Sequence, residues 1–233
     1  MERLKKHLKK YPLKLIIFDL DGTLVDSIHD IYAALQACCQ HYKIPAIPKT
    51  AIREFVGPGA EELIKTTIKD TPISLNDFYA TFRDLYRRDF ISQTHLFPGI
   101  QSLLDNLKNH YKLAILTNKP EDASCYLLQN LNIDHLFTKI AGPDTYNIAK
   151  PEPGGLLKLI EELNEQPNNS LFIGDTITDI HSAQAANVPH IAITHGYGCS
   201  NSITDAKPDA IMNSVSQLEE FLRVHYNSTQ KTN

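Results

Sequence analysis

Long apolar runs are missing from this sequence. Unbroken runs of branched aliphatic and aromatic residues, such as Leu15-Ile16-Ile17-Phe18, extend for about four residues, against the roughly 20 a membrane helix requires. No membrane span is expected. Metal or redox cysteine spacing is absent too: Cys38 and Cys39 are adjacent while Cys125 and Cys199 stand alone, which predicts four reduced thiols. The 10 glycines and 13 prolines follow no period, and the charged residues, 21% of the chain, are mixed in sign, which excludes collagen-like and disordered compositions. Neither the apolar core of a secretory signal nor a lipidation motif is present, so residence in the cytoplasm is the expectation. The two glycosylation-type triplets, at Asn168 and Asn227, are then chance matches.

What the chain does have is length and apolar content. Its 233 residues, 42% hydrophobic, amount to about one and a half domains at roughly 150 residues each, enough for a core that needs no disulfide or metal to fold. The net charge is −4, but it is unevenly spread. Residues 1–14 hold Arg3, Lys5, Lys6, Lys9, Lys10 and Lys14 against Glu2, a local +5 that leaves −9 for the rest. Without interleaved aromatics this stub reads as a solvated, frayed end rather than a tether to a membrane or to nucleic acid. No nucleic-acid partner is expected.

Short runs rich in branched residues recur at Leu15–Phe18, Leu113–Leu116, Lys139–Ala141, Leu171–Ile173 and His190–Ile193, with a weaker one at Asp209–Met212. Helix-patterned stretches at Pro120–Leu131, Glu152–Leu163 and Thr176–Asn187 separate the later runs, and Ser214–His225 reads as a closing helix. This alternation predicts an α/β fold: right-handed β-α-β units forming a parallel, doubly wound Rossmann-like sheet. From about Ser27 to Thr94 the pattern changes. Ile31, Leu35 and Cys38, then Leu63 and Thr67, then Phe78, Phe82 and Leu85 recur at helical spacing with no convincing strand between them. The expected organisation is a core of residues 12–26 and 95–233 interrupted by an inserted helical cap, residues 27–94.

In open parallel sheets ligands sit beyond the carboxyl ends of the strands. The residues at those places are polar: Asp19-Leu20-Asp21-Gly22-Thr23 after Phe18, Thr117-Asn118 after Leu116, and Gly174-Asp175-Thr176 with Asp179 after Ile173, while Lys150 precedes a helix at Lys150-Pro151. Each alone has an ordinary reading as a turn, a loop end, a surface charge or a helix cap. A calcium loop starting at Asp19 fails, because its sixth and twelfth positions would be Leu24 and Asp30 instead of Gly and Glu. Gly57-Pro58-Gly59-Ala60 completes neither a dinucleotide fingerprint nor a P-loop.

Taken in order, Asp19–Ser27, Thr117-Asn118-Lys119, Lys150-Pro151 and Gly174–Asp179 resemble the four motifs of the haloacid dehalogenase-like hydrolase superfamily, and nearly the whole chain is covered. Phe55–Ala60 and Lys150-Pro151-Glu152-Pro153 resemble the phosphoglycolate phosphatase-like subgroup. The resemblance implies a phosphatase for a small phosphorylated metabolite, with phosphoglycolate the best guess, and Mg²⁺ as cofactor. A carboxylate can attack phosphorus to give an aspartyl-phosphate, and Asp19 is the expected nucleophile. Asp21 is the expected acid and then base. Asp175 and a carboxylate oxygen of Asp19 are the expected Mg²⁺ ligands, joined, as the resemblance implies, by the backbone carbonyl of Asp21. Asp179 would hold metal-bound water or orient Lys150. Thr117 Oγ1, the backbone N–H of Asn118 and the Lys150 ammonium would bind the phosphoryl oxygens.

In the cap, Gly57, Pro58 and Gly59 are read as a substrate loop, whereas Arg53 and Lys65 read as solvated. His195, in a glycine-rich loop after the fifth strand, reads as a loop residue without a catalytic part. An acid at Asp21 disfavours dehalogenation, which by the resemblance lacks one. The alternatives are a β-phosphoglucomutase-like phosphosugar mutase, a pyrophosphatase or nucleotidase of the same superfamily, and a non-enzymatic Mg²⁺ or phosphometabolite-binding module.

Overall fold

The computed structural model describes residues 1–48, 52, 59–89 and 92–229. Its centre is a six-stranded, wholly parallel sheet. Strand β1 (Leu15–Phe18) lies between β4 (Lys112–Leu116) and β6 (Ser170–Gly174); β5 (Lys139–Ala141) flanks β4, and β7 (His190–Ile193) and β8 (Ala210–Met212) follow β6. Every residue of β1, β6 and β7 is buried, which is why these strands read as continuous apolar runs rather than alternating ones. Alternate residues serve opposite faces. Ile16 and Phe18 join Leu113, Ile115, Leu171 and Ile173 in one cluster, while Leu15 and Ile17 join Ala114, Leu116 and Phe172 in another.

The first face is covered by α5 (Ile100–Leu107), which contributes Ile100, Leu103, Leu104 and Leu107, and by α11 (Val215–Thr229), which contributes Leu218 and Leu222. The helix α6 (Glu121–Asn130) adds Leu127 and Leu128 to the same face. The opposite face is covered by α8 (Gly154–Glu162) and α9 (Ile177–Ala185) through Leu156, Leu159, Ile160 and Ala183. The third of these crossover helices is shorter than its periodicity suggests because Thr176 caps its start and Asn187 is left-handed, with φ 55°.

One expectation is overturned. Residues 2–10 are not a frayed end but a helix, α1 (Glu2–Lys10), whose Leu4 and Leu8, one turn apart, are buried in the first cluster. The lysines point to solvent while the two leucines dock, so the burial of an i, i+4 pair outweighs the repulsion of the exposed charges. Leu4→Ala is expected to lower unfolding stability by about 2–4 kcal/mol, read as a shifted denaturant midpoint; a frayed segment would give no shift.

Between β1 and β4 the chain makes an excursion. It leaves through β2 (Val25–Asp26) and returns through β3 (His95–Leu96), and these pair antiparallel, Val25 with Leu96 and Asp26 with His95. Three helices fill the described part of the excursion: α2 (Ile28–Tyr42), α3 (Ala60–Ile68) and α4 (Leu75–Asp89). They enclose a separate apolar cluster that includes Leu35, Cys38, Leu63, Ile64, Phe78 and Phe82. The return is fastened by the buried Asp30 carboxylate, which accepts hydrogen bonds from the backbone N–H groups of Ser92, Gln93 and Thr94 and from Thr94 Oγ1. All four cysteines are unpaired thiols.

Candidate active site

Sheet register brings the polar strand ends together. Phe18 lies opposite both Ile115 and Ile173, so the residues that follow β1, β4 and β6 emerge side by side at one edge. Asp19 still donates its N–H to Ile173 O at 2.9 Å, and the chain then turns at Gly22, whose φ is +90°. A Cβ there would stand 2.3 Å from Asp175 Oδ2, so both the turn and the approach require glycine. Gly196, on the loop after β7, faces the same oxygen at the same distance from its would-be Cβ. The glycine loop after β7 therefore closes over Asp175.

The carboxylates differ in their partners. Asp175 is fully buried and accepts hydrogen bonds from Thr23 Oγ1 at 2.9 Å and from the Tyr197 backbone N–H at 2.7 Å. Asp179, in the first turn of α9, accepts the backbone N–H and Oγ1 of Thr176 on one oxygen and Lys150 Nζ, at 2.6 Å, on the other. Lys150 Nζ also lies 2.8 Å from Asp19 Oδ1, a buried oxygen with no other partner among the described residues. Asn118 fixes the lysine's backbone from both sides, accepting from Lys150 N–H at 2.8 Å and donating to Lys150 O at 3.0 Å. Asp21 accepts from Ser27 Oγ at 2.5 Å and pairs with Lys119 Nζ at 3.1 Å.

Burial dominates the electrostatics. It raises the Asp19 carboxyl to about 6, with Asp179 adding to the rise and the Lys150 ammonium opposing it. Asp175 is raised well above the carboxylate range by burial and then by the charges of Asp19 and Asp179. Burial alone would push Lys150 and Lys119 toward neutrality, but Asp179 and Asp19 hold the first, and Asp21 the second, above the usual lysine range. Asp19, Asp175 and Asp179 each offer an oxygen within 4.8 Å of the others. Three hard oxygen donors gathered this closely in a buried site suit a hard divalent cation.

A pH prediction follows from Asp19. Its folded value is raised above the unfolded range of about 3.9, so its contribution to stability is complete below that range and is lost as pH rises through about 6. In chelator, the difference in Tm between the wild type and Asp19→Asn is expected to turn against the wild type across that window. Added divalent cation, which favours the ionised form, should reverse the trend.

The structure brings together Asp19, Asp21, Lys150, Asp175 and Asp179, and Thr117 and Asn118 line the same cleft. Gly59 also lines it, whereas Gly57 and Pro58, like Arg53, Phe55 and Val56, lie outside the described residues. Lys65 is paired with Glu61 on α3, away from the cleft. His195 approaches Thr23 O at 3.1 Å and packs on Phe97, and burial lowers its pKa; it touches none of the carboxylates. Residues passed over in the sequence also contribute. Lys119 is one, although its place just after Thr117-Asn118 was the available signal. Another is Tyr197, whose Oη accepts the N–H groups of Ser27 and Ile28 and donates to Asp26 Oδ1, tying the post-β7 loop to the start of the excursion. The cleft's far wall comes from α4 through Tyr79, Phe82, Arg83 and Tyr86, at i, i+3, i+4 and i+7.

Comparison with known proteins adds to this geometry. The family model described as haloacid dehalogenase-like hydrolase matches residues 16–193. The phosphoglycolate phosphatases of Nitrosococcus oceani and Pasteurella multocida are each 32% identical to this chain, over 216 and 219 residues. The alignments cover 90% of this chain and 96% and 98% of theirs. Among solved structures, that of a predicted phosphoglycolate phosphatase from Haemophilus somnus 129pt is similar with a TM-score of 0.81 at 28% identity, covering 91% of this chain and 97% of that one.

Proposed function

The chain belongs to the haloacid dehalogenase-like hydrolases and is a phosphoric monoester hydrolase, and from that membership we propose that it is an Mg²⁺-dependent phosphatase for phosphoglycolate, working through an aspartyl-phosphate on Asp19. One observation carries the metal dependence. Four buried carboxylates, Asp19, Asp21, Asp175 and Asp179, face two ammonium groups, Lys119 and Lys150. With all four ionised, negative charge exceeds positive by two, which a divalent cation would balance. Asp19 and Asp175 would hold it, with the Asp21 carbonyl, while Asp179, bound by Lys150 and Thr176, would stand beside them. When bound, Mg²⁺ supplies charge neutralisation at the phosphoryl group and at the attacking carboxylate.

The chain's own groups do the rest. A carboxylate oxygen of Asp19 attacks phosphorus, the ester P–O bond breaks, and the leaving alkoxide takes a proton from the Asp21 carboxyl. Water then gives a proton back to Asp21 as it attacks phosphorus, and the P–O bond to Asp19 breaks to release inorganic phosphate. Ser27 and Lys119 hold the Asp21 carboxyl at the cleft throughout. Lys150, Thr117 Oγ1 and the Asn118 N–H stabilise charge on the phosphoryl oxygens. In this reading residues 27–94 act as a cap over a core of residues 12–26 and 95–233, to which α1 is added, and Gly57, Pro58 and Gly59 form its substrate loop.

The test is phosphate release by the purified chain from a panel of monoesters that includes phosphoglycolate. Release is expected with Mg²⁺, abolished by chelator and restored by excess Mg²⁺. No release from any monoester in Mg²⁺ would overturn the reading.

A further inference from the structure

The reaction needs only a phosphoryl group, but the cleft extends past it to a wall that the chemistry does not use. Tyr86, on α4, is buried at 3% exposure, and its hydroxyl, which has the Lys119 ammonium beside it, finds no acceptor for its proton among the described residues. Buried hydroxyls are nearly always satisfied, and one left without an acceptor at the edge of a ligand cleft marks a place for a ligand atom. One turn earlier on the same face stands Arg83, whose only ion pair among the described residues is a loose one, 3.7 Å, to its exposed neighbour Asp84. Arg87 on the same helix is by contrast committed, 3.0 Å from Asp122 and stacked over Tyr126. Across from this wall, Lys119 Nζ sits 4.7 Å from the centre of the Tyr86 ring, its charge already matched by Asp21. The positive charge left over in the cleft is therefore that of Arg83.

We propose that Arg83 and Tyr86 receive a carboxylate at the non-transferring end of the substrate, so that this enzyme selects short phosphorylated carboxylic acids over uncharged esters of the same carbon count. The inference rests on the phosphatase reading above and deepens it by assigning the residues that read the substrate. A guanidinium presents two parallel N–H donors that match a carboxylate, and a phenol adds a third. Around them, besides Tyr79, stand the apolar side chains of Ile31, Leu63, Phe82 and Ala123. These four suit a short carbon linker between the phosphoryl group and the carboxylate.

The experiment compares kcat/KM for phosphoglycolate and for ethyl phosphate, in Mg²⁺, using the full chain and the variants Arg83→Gln, Arg83→Lys and Tyr86→Phe. The wild type should prefer phosphoglycolate. Arg83→Gln should lower the ratio of the two values by roughly 10- to 100-fold, mainly through KM for phosphoglycolate, as expected for loss of a charged hydrogen-bonding partner. Arg83→Lys should recover part of the ratio, and Tyr86→Phe should lower it by about 2- to 10-fold. Arg83 is half exposed, so its variants should keep the wild-type Tm. A wild type with no preference, or a ratio unchanged in Arg83→Gln and Tyr86→Phe, overturns this inference and leaves the phosphatase reading standing. Failure of the wild type to hydrolyse either ester overturns both.

Discussion

Asp19→Asn is expected to lower kcat by at least about 10³-fold while the protein stays folded. The amide keeps the shape of the carboxyl but cannot form the acyl-phosphate, so the loss should fall on kcat rather than on KM. Stability should move the other way. Asp19 is one of three carboxylates with oxygens within 4.8 Å of each other, and its charge is among the causes that raise the Asp175 carboxyl. Removing that charge relieves the crowding, so in chelator at neutral pH the variant should melt above the wild type. In Mg²⁺ the order should reverse, because the wild type gains a ligand that the variant lacks. Activity within tenfold of the wild type would exclude Asp19 as the nucleophile, and identical Mg²⁺-induced shifts in Tm would exclude it as a ligand.

Lys150→Met is expected to be costly on both counts. Lys150 is the only cation in contact with Asp19 and Asp179 among the described residues, at 2.8 and 2.6 Å, and all three side chains are almost fully buried. Methionine fills the same volume but leaves the carboxylates without a counter-charge, which for buried pairs costs about 3–5 kcal/mol. Loss of the ammonium from the phosphoryl oxygens should reduce kcat by a further 10²–10³-fold or so. These two effects can be separated. Adding Asp179→Asn to Lys150→Met removes one orphaned charge and should recover part of the stability, seen as a non-additive term in a double-mutant cycle. Turnover should not return. If the two substitutions proved additive in stability, the pair would not be the coupled unit the geometry describes.

The strands were legible because a parallel sheet covered on both faces demands unbroken apolar runs: Leu15–Phe18 and His190–Ile193 coincide with β1 and β7 residue for residue. The acidic cluster was legible for a related reason. Chemistry in such a sheet collects just past the strand ends, and Asp19 and Asp175 occupy those positions whatever their neighbours are. The α1 helix was not legible, because six basic residues in 14 dominate the composition and conceal a two-leucine stripe that matters only once there is a sheet to dock against. The Lys119–Asp21 pair was hidden by separation along the chain: its partners are 98 positions apart, and no local pattern predicts which buried lysine meets which carboxylate.

Sequence by itself determined the layer architecture, the identity of the strand-end carboxylates and the family, since each follows from periodicity or from the order of short motifs along the chain. Tertiary structure alone decided how those charges are matched: Lys150 with Asp19 and Asp179, Lys119 with Asp21, and Asp175 with no lysine among the described residues. It also decided that α4 brings Arg83 and Tyr86 to the wall of the cleft. The physical reason is that burial and pairing are properties of contacts between distant segments. A charge has no partner, and a hydroxyl no vacancy, until packing has removed the water around it.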